Sequence, residues 1–297
     1  MKENVEIKSY LDWSDKGRSG FLFYAIGLVL AFFFFVFGGA AVLPLSFINP
    51  DYQKSLPLNV LGTLLAFVLP FFAIPLIVKI LHNRPSWSVA MPRFYFARWD
   101  FFTGFWVSLV ISLAFSWLLG ITGVMPVEIN PDFDLKQFLV VALIGFVGIF
   151  IQAGSEEMLF RGYLTQFARR FTSNKYIFIG LPALLFALPH IINISDLGGT
   201  LWVAVPYMIS GIFYGWFAYR TGSLWMSLGM HLSNNFGSLV FVGTKGDALP
   251  SAAPFVAWLP SLTVTTLIIA AHALVVTLIL HAMIKRQETK QWTLAQN

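Results

Sequence analysis

Long apolar runs separated by short charged stretches dominate the chain. Eight can be drawn, over residues 21–46, 59–78, 101–124, 137–160, 176–194, 200–219, 222–243 and 259–284. Most approach the roughly 20 residues that a helix needs to cross the hydrocarbon of a bilayer. The pattern therefore predicts an all-α, polytopic integral membrane protein, with about eight transmembrane helices around a polar intramembrane cavity. The seventh run is the most polar, holding His231, Asn234 and Asn235. The first run follows a charged head and is too long for a signal-peptide core, so it reads as a retained span. Residues 1–20 are expected to form a cytoplasmic segment, 21–284 a single transmembrane domain and 285–297 a cytoplasmic tail. Within the domain, spans over 21–124 read as scaffold, spans over 137–243 as site-bearing, and 259–284 as a closing span. Pro85 and Pro92 in the 82–98 loop, and Pro126 and Pro131 in the acidic 125–136 loop, predict irregular connectors.

Composition sharpens the class. Of the 297 residues, 57% are hydrophobic and 11% charged, against about 25% charged in soluble domains. Cysteine is absent, which excludes a thiol nucleophile and Cys-ligated metal. A net charge of +5 raises the question of nucleic acid, and the placement of the charges answers it. Lys2, Lys8, Lys16, Arg18, Lys79, Arg84, Arg93, Arg98, Arg169, Arg170, Lys175, Arg220, Lys285, Arg286 and Lys290 fall in connections on one side. Only Lys54, Lys136 and Lys245 fall on the other, with Asp51, Glu128, Asp132, Asp134, Asp196 and Asp247. That asymmetry predicts both termini in the cytoplasm. The basic belt then faces membrane lipid headgroups, and no nucleic-acid partner is implied.

Against this apolar background a few polar groups stand out. Glu156 and Glu157 are the two acidic residues inside an apolar run, where each ionised carboxylate costs about 2.5–3.5 kcal/mol on insertion scales. Arg161 follows Glu157 by four residues, His190 follows Phe186 by four, and Asn235 follows His231 by four. This spacing puts both members of each pair on one helical face. Counted back from the basic belt at about 1.5 Å per residue, Glu156, His190 and His231 lie at similar depths, roughly 16–22 Å in. Glu157 is placed to pair with Arg161, while Glu156 points about 100° away around the helix, free to face a cavity as a general base. Spans one to three contain no ionisable residue in their interiors. His272 shares the depth of the set and reads as an interhelical hydrogen-bonding residue. His82 and His281, at span ends, read as interfacial. Asn234 competes with Asn235 as the neighbour of His231.

Glu156-Glu157-Met158-Leu159-Phe160-Arg161, Phe186-Ala187-Leu188-Pro189-His190 and His231-Leu232-Ser233-Asn234-Asn235 together resemble the CPBP family. This family comprises the type II CAAX-prenyl proteases and the bacteriocin-processing (Abi) intramembrane proteases. Its pattern EExxxR, FxxxH, HxxxN is filled here in order, over residues 156–235. The resemblance implies an intramembrane endopeptidase, a hydrolase acting on a hydrophobic peptide or lipid-anchored protein. By position, Glu156 with His190 would activate the attacking water, and His231 with Asn235 would stabilise the oxyanion. Glu157 and Arg161 would hold the geometry, and Phe186 would shape the pocket. Glu156, His190 and His231 are also the candidate ligands for one divalent metal such as zinc; the residue types suit a metalloprotease and a metal-free base equally.

Two other classes use similar parts. A proton-coupled transporter also needs intramembrane Glu, His and Arg, but an inverted-repeat transporter would carry them in both halves, and spans one to three have none. A non-catalytic immunity or partner-binding protein would keep the fold without needing all four of Glu156, His190, His231 and Asn235. Substrate identity and oligomeric state are not encoded in any motif.

Overall fold

A computed structural model describes residues 6–193, 201–245 and 249–296. The sequence positions Lys2, Asp196 and Asp247 lie outside the described residues. Helix α1 (Phe21–Phe37) continues through a 3₁₀ turn (Gly38–Val42) into α2 (Leu43–Ile48). Helices α3 (Leu56–Leu65) and α4 (Val68–Leu81) form a second broken rod. The two breaks meet: a Cβ on Gly38 would lie 2.0 Å from the carbonyl oxygen of Ala66, so only glycine permits this contact. Next come α5 (Arg98–Ile121), strand β1 (Val127–Ile129) and α6 (Leu135–Glu156). The Asp134 carboxylate caps α6 by accepting from the Gln137 N–H at 2.7 Å. A π-helical segment (Glu157–Leu164) carries α6 into α7 (Thr165–Arg169). Helices α8 (Lys175–Ala187), α9 (Ala204–Thr221) and α10 (Trp225–Val240) follow, then strands β2 (Val242–Thr244) and β3 (Phe255–Ala257), and finally α11 (Leu262–Gln296).

The all-α, multi-pass architecture expected from the apolar pattern is present, and the described residues of the eight apolar runs are mostly helical. Among the described residues, five helical rods are long and apolar enough to cross a bilayer: Phe21–Ile48, Leu56–Leu81, Arg98–Ile121, Leu135–Arg169 and Leu262–Thr289. Their outward sides expose Val29, Val36, Phe72, Trp106, Val110, Leu143, Leu267 and Leu278, as lipid contact requires. The fifth to seventh runs form shorter or more polar helices. Helix α10 is buried continuously from Met226 to Ser233, so protein rather than lipid surrounds its polar groups, and it has no need of a span's full apolarity.

One expectation is corrected, and both ends of the chain gain detail. The acidic 125–136 connector is not wholly irregular: β1 pairs antiparallel with β3, which pairs parallel with β2, a small sheet of order β1-β3-β2. Residues 9–18 do not hang free, since Tyr10 is fully buried and the main chain bonds to Gly222 and His82. The expected C-terminal tail continues α11 as helix to Gln296.

Close crossing of α5 and α10 sets the site's floor. A Cβ on Gly229 would lie 2.2 Å from the Phe101 carbonyl oxygen, and one on Gly104 would lie 2.5 Å from that of Met226. Two glycines thus let the backbones touch and bring His231, two residues beyond Gly229, beside α5 and α6.

Candidate active site

The last turn of α6 delivers Glu156, and the π segment begins at Glu157. Such wide turns cost hydrogen-bond geometry and occur mostly at functional sites. The Thr165 hydroxyl donates to the Phe160 carbonyl at 2.9 Å, across the widened turn. Both carboxylates are buried, yet their surroundings differ as their one-residue offset predicts. Glu157 Oε1 lies 2.9 Å from Arg161 Nη1. The Arg161 guanidinium is sandwiched over the rings of Phe186, at 4.2 Å, and Tyr214, at 5.2 Å. Glu156 instead lines a cavity of about 360 Å³ that also takes in Phe186, His190, His231, Asn234 and Asn235. Its Oε1 accepts from Gln152 Nε2 at 2.6 Å, while its buried Oε2 has no hydrogen-bond partner.

His231 bridges the two carboxylates. Its Nδ1 is 2.9 Å from Glu157 Oε1 and its Nε2 is 3.5 Å from Glu156 Oε2. Tyr214 stacks on the imidazole with ring centroids 5.0 Å apart, holding the ring in the plane that reaches both acids. Asn235 donates to Gln152 Oε1 at 2.9 Å, and Asn234 donates to Asn235 Oδ1 at 3.1 Å. Asn234, Asn235, Gln152 and Glu156 thus form one hydrogen-bonded chain, and neither asparagine bonds His231 among the described residues. His190 faces the same cavity, its Nδ1 at 2.8 Å from the Phe186 carbonyl and its ring stacked on Tyr207 at 4.3 Å. No hydrogen bond or ion pair joins His190 to Glu156 among the described residues, so the two face shared space rather than each other's atoms. His231 and Asn235 also engage different partners.

Every residue expected at the site is therefore at this cluster: Glu156, His190, His231 and Asn235 on the cavity, Glu157 and Arg161 behind it, and Phe186 between the two. As a metal site the set does not converge. Among the described residues no three His, Asp or Glu side chains are grouped as ligands, and the Nδ1 atoms of His231 and His190 are turned to Glu157 and a carbonyl.

Other expectations change. The third span is not mere scaffold: Ser108, Ser112 and Ser116 of α5 line the cavity. His272 hydrogen-bonds between helices as expected, its Nε2 3.0 Å from the Ser112 hydroxyl on the same wall. His82 is not interfacial but fully buried, its Nδ1 2.7 Å from the Arg18 carbonyl oxygen and its Nε2 2.7 Å from the Tyr163 hydroxyl. Gln152, Tyr207 and Tyr214 escaped notice in the sequence. Gln152 left a signal, a lone amide one turn before Glu156 in an apolar run. The tyrosines left none, because aromatic residues make up 17% of the chain.

Comparison with known proteins bears on the same stretch. Residues 137–237 match the family model described as type II CAAX prenyl endopeptidase Rce1-like. A Bacillus subtilis (strain 168) protein, recorded as "Uncharacterized protein YyaK", is 27% identical over 223 residues, 70% of this chain and 72% of its own length. No solved structure matches the chain. Across residues 137–237 the chain is thus similar to the Rce1-like type II CAAX prenyl endopeptidases.

Proposed function

We propose that this protein is an intramembrane endopeptidase in which Glu156 is the general base for an attacking water. The observation that carries the reading is Glu156 on the cavity wall, with a buried Oε2 that makes no hydrogen bond and has the His231 imidazole 3.5 Å away. Water held between Glu156 and His190 gives its proton to Glu156 as its oxygen attacks the scissile carbonyl. His231 Nε2–H and an amide hydrogen of Asn235 stabilise the resulting oxyanion. On collapse the C–N bond breaks and Glu156 returns the proton to the leaving amine. No step needs a metal; cleavage that stops in a chelator and returns with zinc would replace this scheme with a metal-assisted one.

The substrate class that fits is a peptide carried in or anchored to the membrane, because the cavity lies among spans whose outer faces are lipid contact. Charge asymmetry supports cytoplasmic termini and, for a bacterial chain, the cytoplasmic membrane. The test is a mass-spectrometric comparison of peptide termini in membranes expressing wild type or Glu156→Gln. New termini made only by wild type are expected. Identical termini, with both proteins folded and equally abundant, would refute the peptidase reading and favour a binding or transport role.

A further inference from the structure

The cavity has a second polar wall that the hydrolytic scheme does not use. Ser108, Ser112 and Ser116 recur every fourth residue along α5 and share one face, and that face lines the cavity. Nothing in a lipid-facing rod calls for a hydroxyl stripe, and here it is turned inward. Ser112 Oγ sits 3.0 Å from His272 Nε2, joining α5 to α11. The Ser108 hydroxyl is 98% buried, with 2% of the residue exposed, and has no hydrogen-bond partner. An orphaned buried hydroxyl costs about 1–3 kcal/mol unless a guest satisfies it.

Spacing identifies the guest. Residues four apart on a helix rise by about 6 Å, while an extended peptide presents equivalent backbone groups every two residues, about 6.6–6.8 Å apart. Ser116 Oγ donates to the Ser112 carbonyl of its own helix at 3.0 Å, so Ser108 and Ser112 are the hydroxyls left for a guest, spaced nearly in step with two residues of extended backbone and suited to main chain rather than side chains. Glu156 lines the same cavity, so a chain lying on the stripe has a peptide bond within the reach of the acid's side of the cavity.

We propose that the serine face of α5, with His272, is a positioning subsite that holds the substrate's extended backbone beside the scissile bond. The proposal rests on the endopeptidase reading above and deepens it. The subsite favours substrates that enter unfolded, and it tolerates varied side chains along the stripe.

The probe is a quenched-fluorescent peptide with a farnesylated cysteine flanked on both sides by several residues, presented with the full-length protein in lipid nanodiscs. Ser112→Ala and His272→Ala are each expected to raise KM about three- to tenfold, the worth of one hydrogen bond, with kcat within about twofold. Ser112→Thr, which keeps the hydroxyl, is expected to restore KM. Single N-methyl groups placed along the probe's backbone are expected to weaken wild type at alternate positions and to lose that effect in Ser112→Ala. A fall in kcat at unchanged KM, or no change in either, would overturn the proposal. Binding of the same probe to Glu156→Gln, with and without Ser112→Ala, gives a readout independent of turnover. If wild type fails to cleave the probe but Ser112→Ala still weakens binding, the peptidase reading falls and the subsite stands. Equal binding by both proteins, or none, would overturn the subsite.

Discussion

The rod formed by α6, the π segment and α7 carries two buried polar clusters less than two turns apart. At its upper end Glu156 and Glu157 meet Arg161 and His231 beside the cavity. At its lower end Tyr163 and Gln166 meet His82, Arg84 and the folded-back N-terminal segment. In the lower cluster both nitrogens of His82 are engaged, and Gln166 Nε2 donates to the carbonyls of Tyr10, at 2.9 Å, and Ser88, at 2.8 Å. Arg84 donates to the Trp13 carbonyl and to Gln166 Oε1. In the upper cluster Glu156 lines the cavity and its Oε2 makes no hydrogen bond, with His231 Nε2 3.5 Å away. The lower cluster also leaves Arg84 Nε and the Tyr10 hydroxyl without a hydrogen bond, but it lines no part of that cavity. Both clusters bury charge and both join distant segments, so burial alone does not separate them. What separates a staple from a working site is an unsatisfied group facing a cavity.

The largest effect should come from the upper cluster alone. Glu156→Gln is expected to lower cleavage by at least about 10²-fold, the low end for loss of a general base, with thermal unfolding in detergent unchanged. A comparable loss of stability would mean that Glu156 belongs with the staples. Next, Arg161→Ala is expected to cost about 3–5 kcal/mol, because it strands Glu157 in a buried place. The double variant Glu157→Gln/Arg161→Ala should unfold later than Arg161→Ala in the same assay, and equal melting would deny that the two act as a pair. In the lower cluster, Tyr163→Phe should cost about 1–3 kcal/mol by removing a partner of buried His82. Its cleavage per folded molecule should match wild type; a specific fall in kcat would erase the contrast between the clusters.

The smallest expected effect is a pH slope. His82 lies just beyond the second rod, and burial, with the nearby Arg84 charge, lowers its pKa from the ordinary 6.5 to about 4. A neutral ring fits the contacts, with Nδ1–H donated to the Arg18 carbonyl and the Tyr163 O–H donated to Nε2. Because the folded pKa is depressed, the unfolded chain binds the extra proton between these two values. Stability from His82 is thus complete above pH 6.5 and is lost as pH falls toward about 4. Melting temperature followed over that window should fall less in His82→Asn than in wild type, and parallel curves would remove His82 as the titrating group.

The number and order of apolar runs, and the offset between Glu156 and Glu157, were legible because each depends on neighbours along one helix. Apolar length reports what a bilayer demands of a rod, and adjacent residues on a helix must point apart whatever surrounds them. The three motifs likewise named residues that the fold brings together. Their pairings were another matter. That His231 bridges both acids, that Asn235 bonds Gln152, and that His190 rests against Tyr207 depend on how α6, α8, α9 and α10 cross. Those crossings are fixed by contacts such as Gly229 against Phe101, which join residues more than a hundred positions apart.

The serine face of α5 shows the same division. Three serines at every fourth position share one side of a helix, a pattern the sequence reading passed over, and only the packing of α5 against α10 and α11 decides that this side faces a cavity instead of lipid. His82 was misplaced for a related reason. Its position at a span end suggested the interface, while residues 9–18, folding back beneath the bundle, bury it. Sequence by itself determined which residues share a helix face and which segments prefer lipid, since both are local consequences of helical geometry and side-chain transfer energy. The tertiary structure alone decided which polar groups are satisfied and which are left facing open space, since that depends on partners the chain brings in from far away.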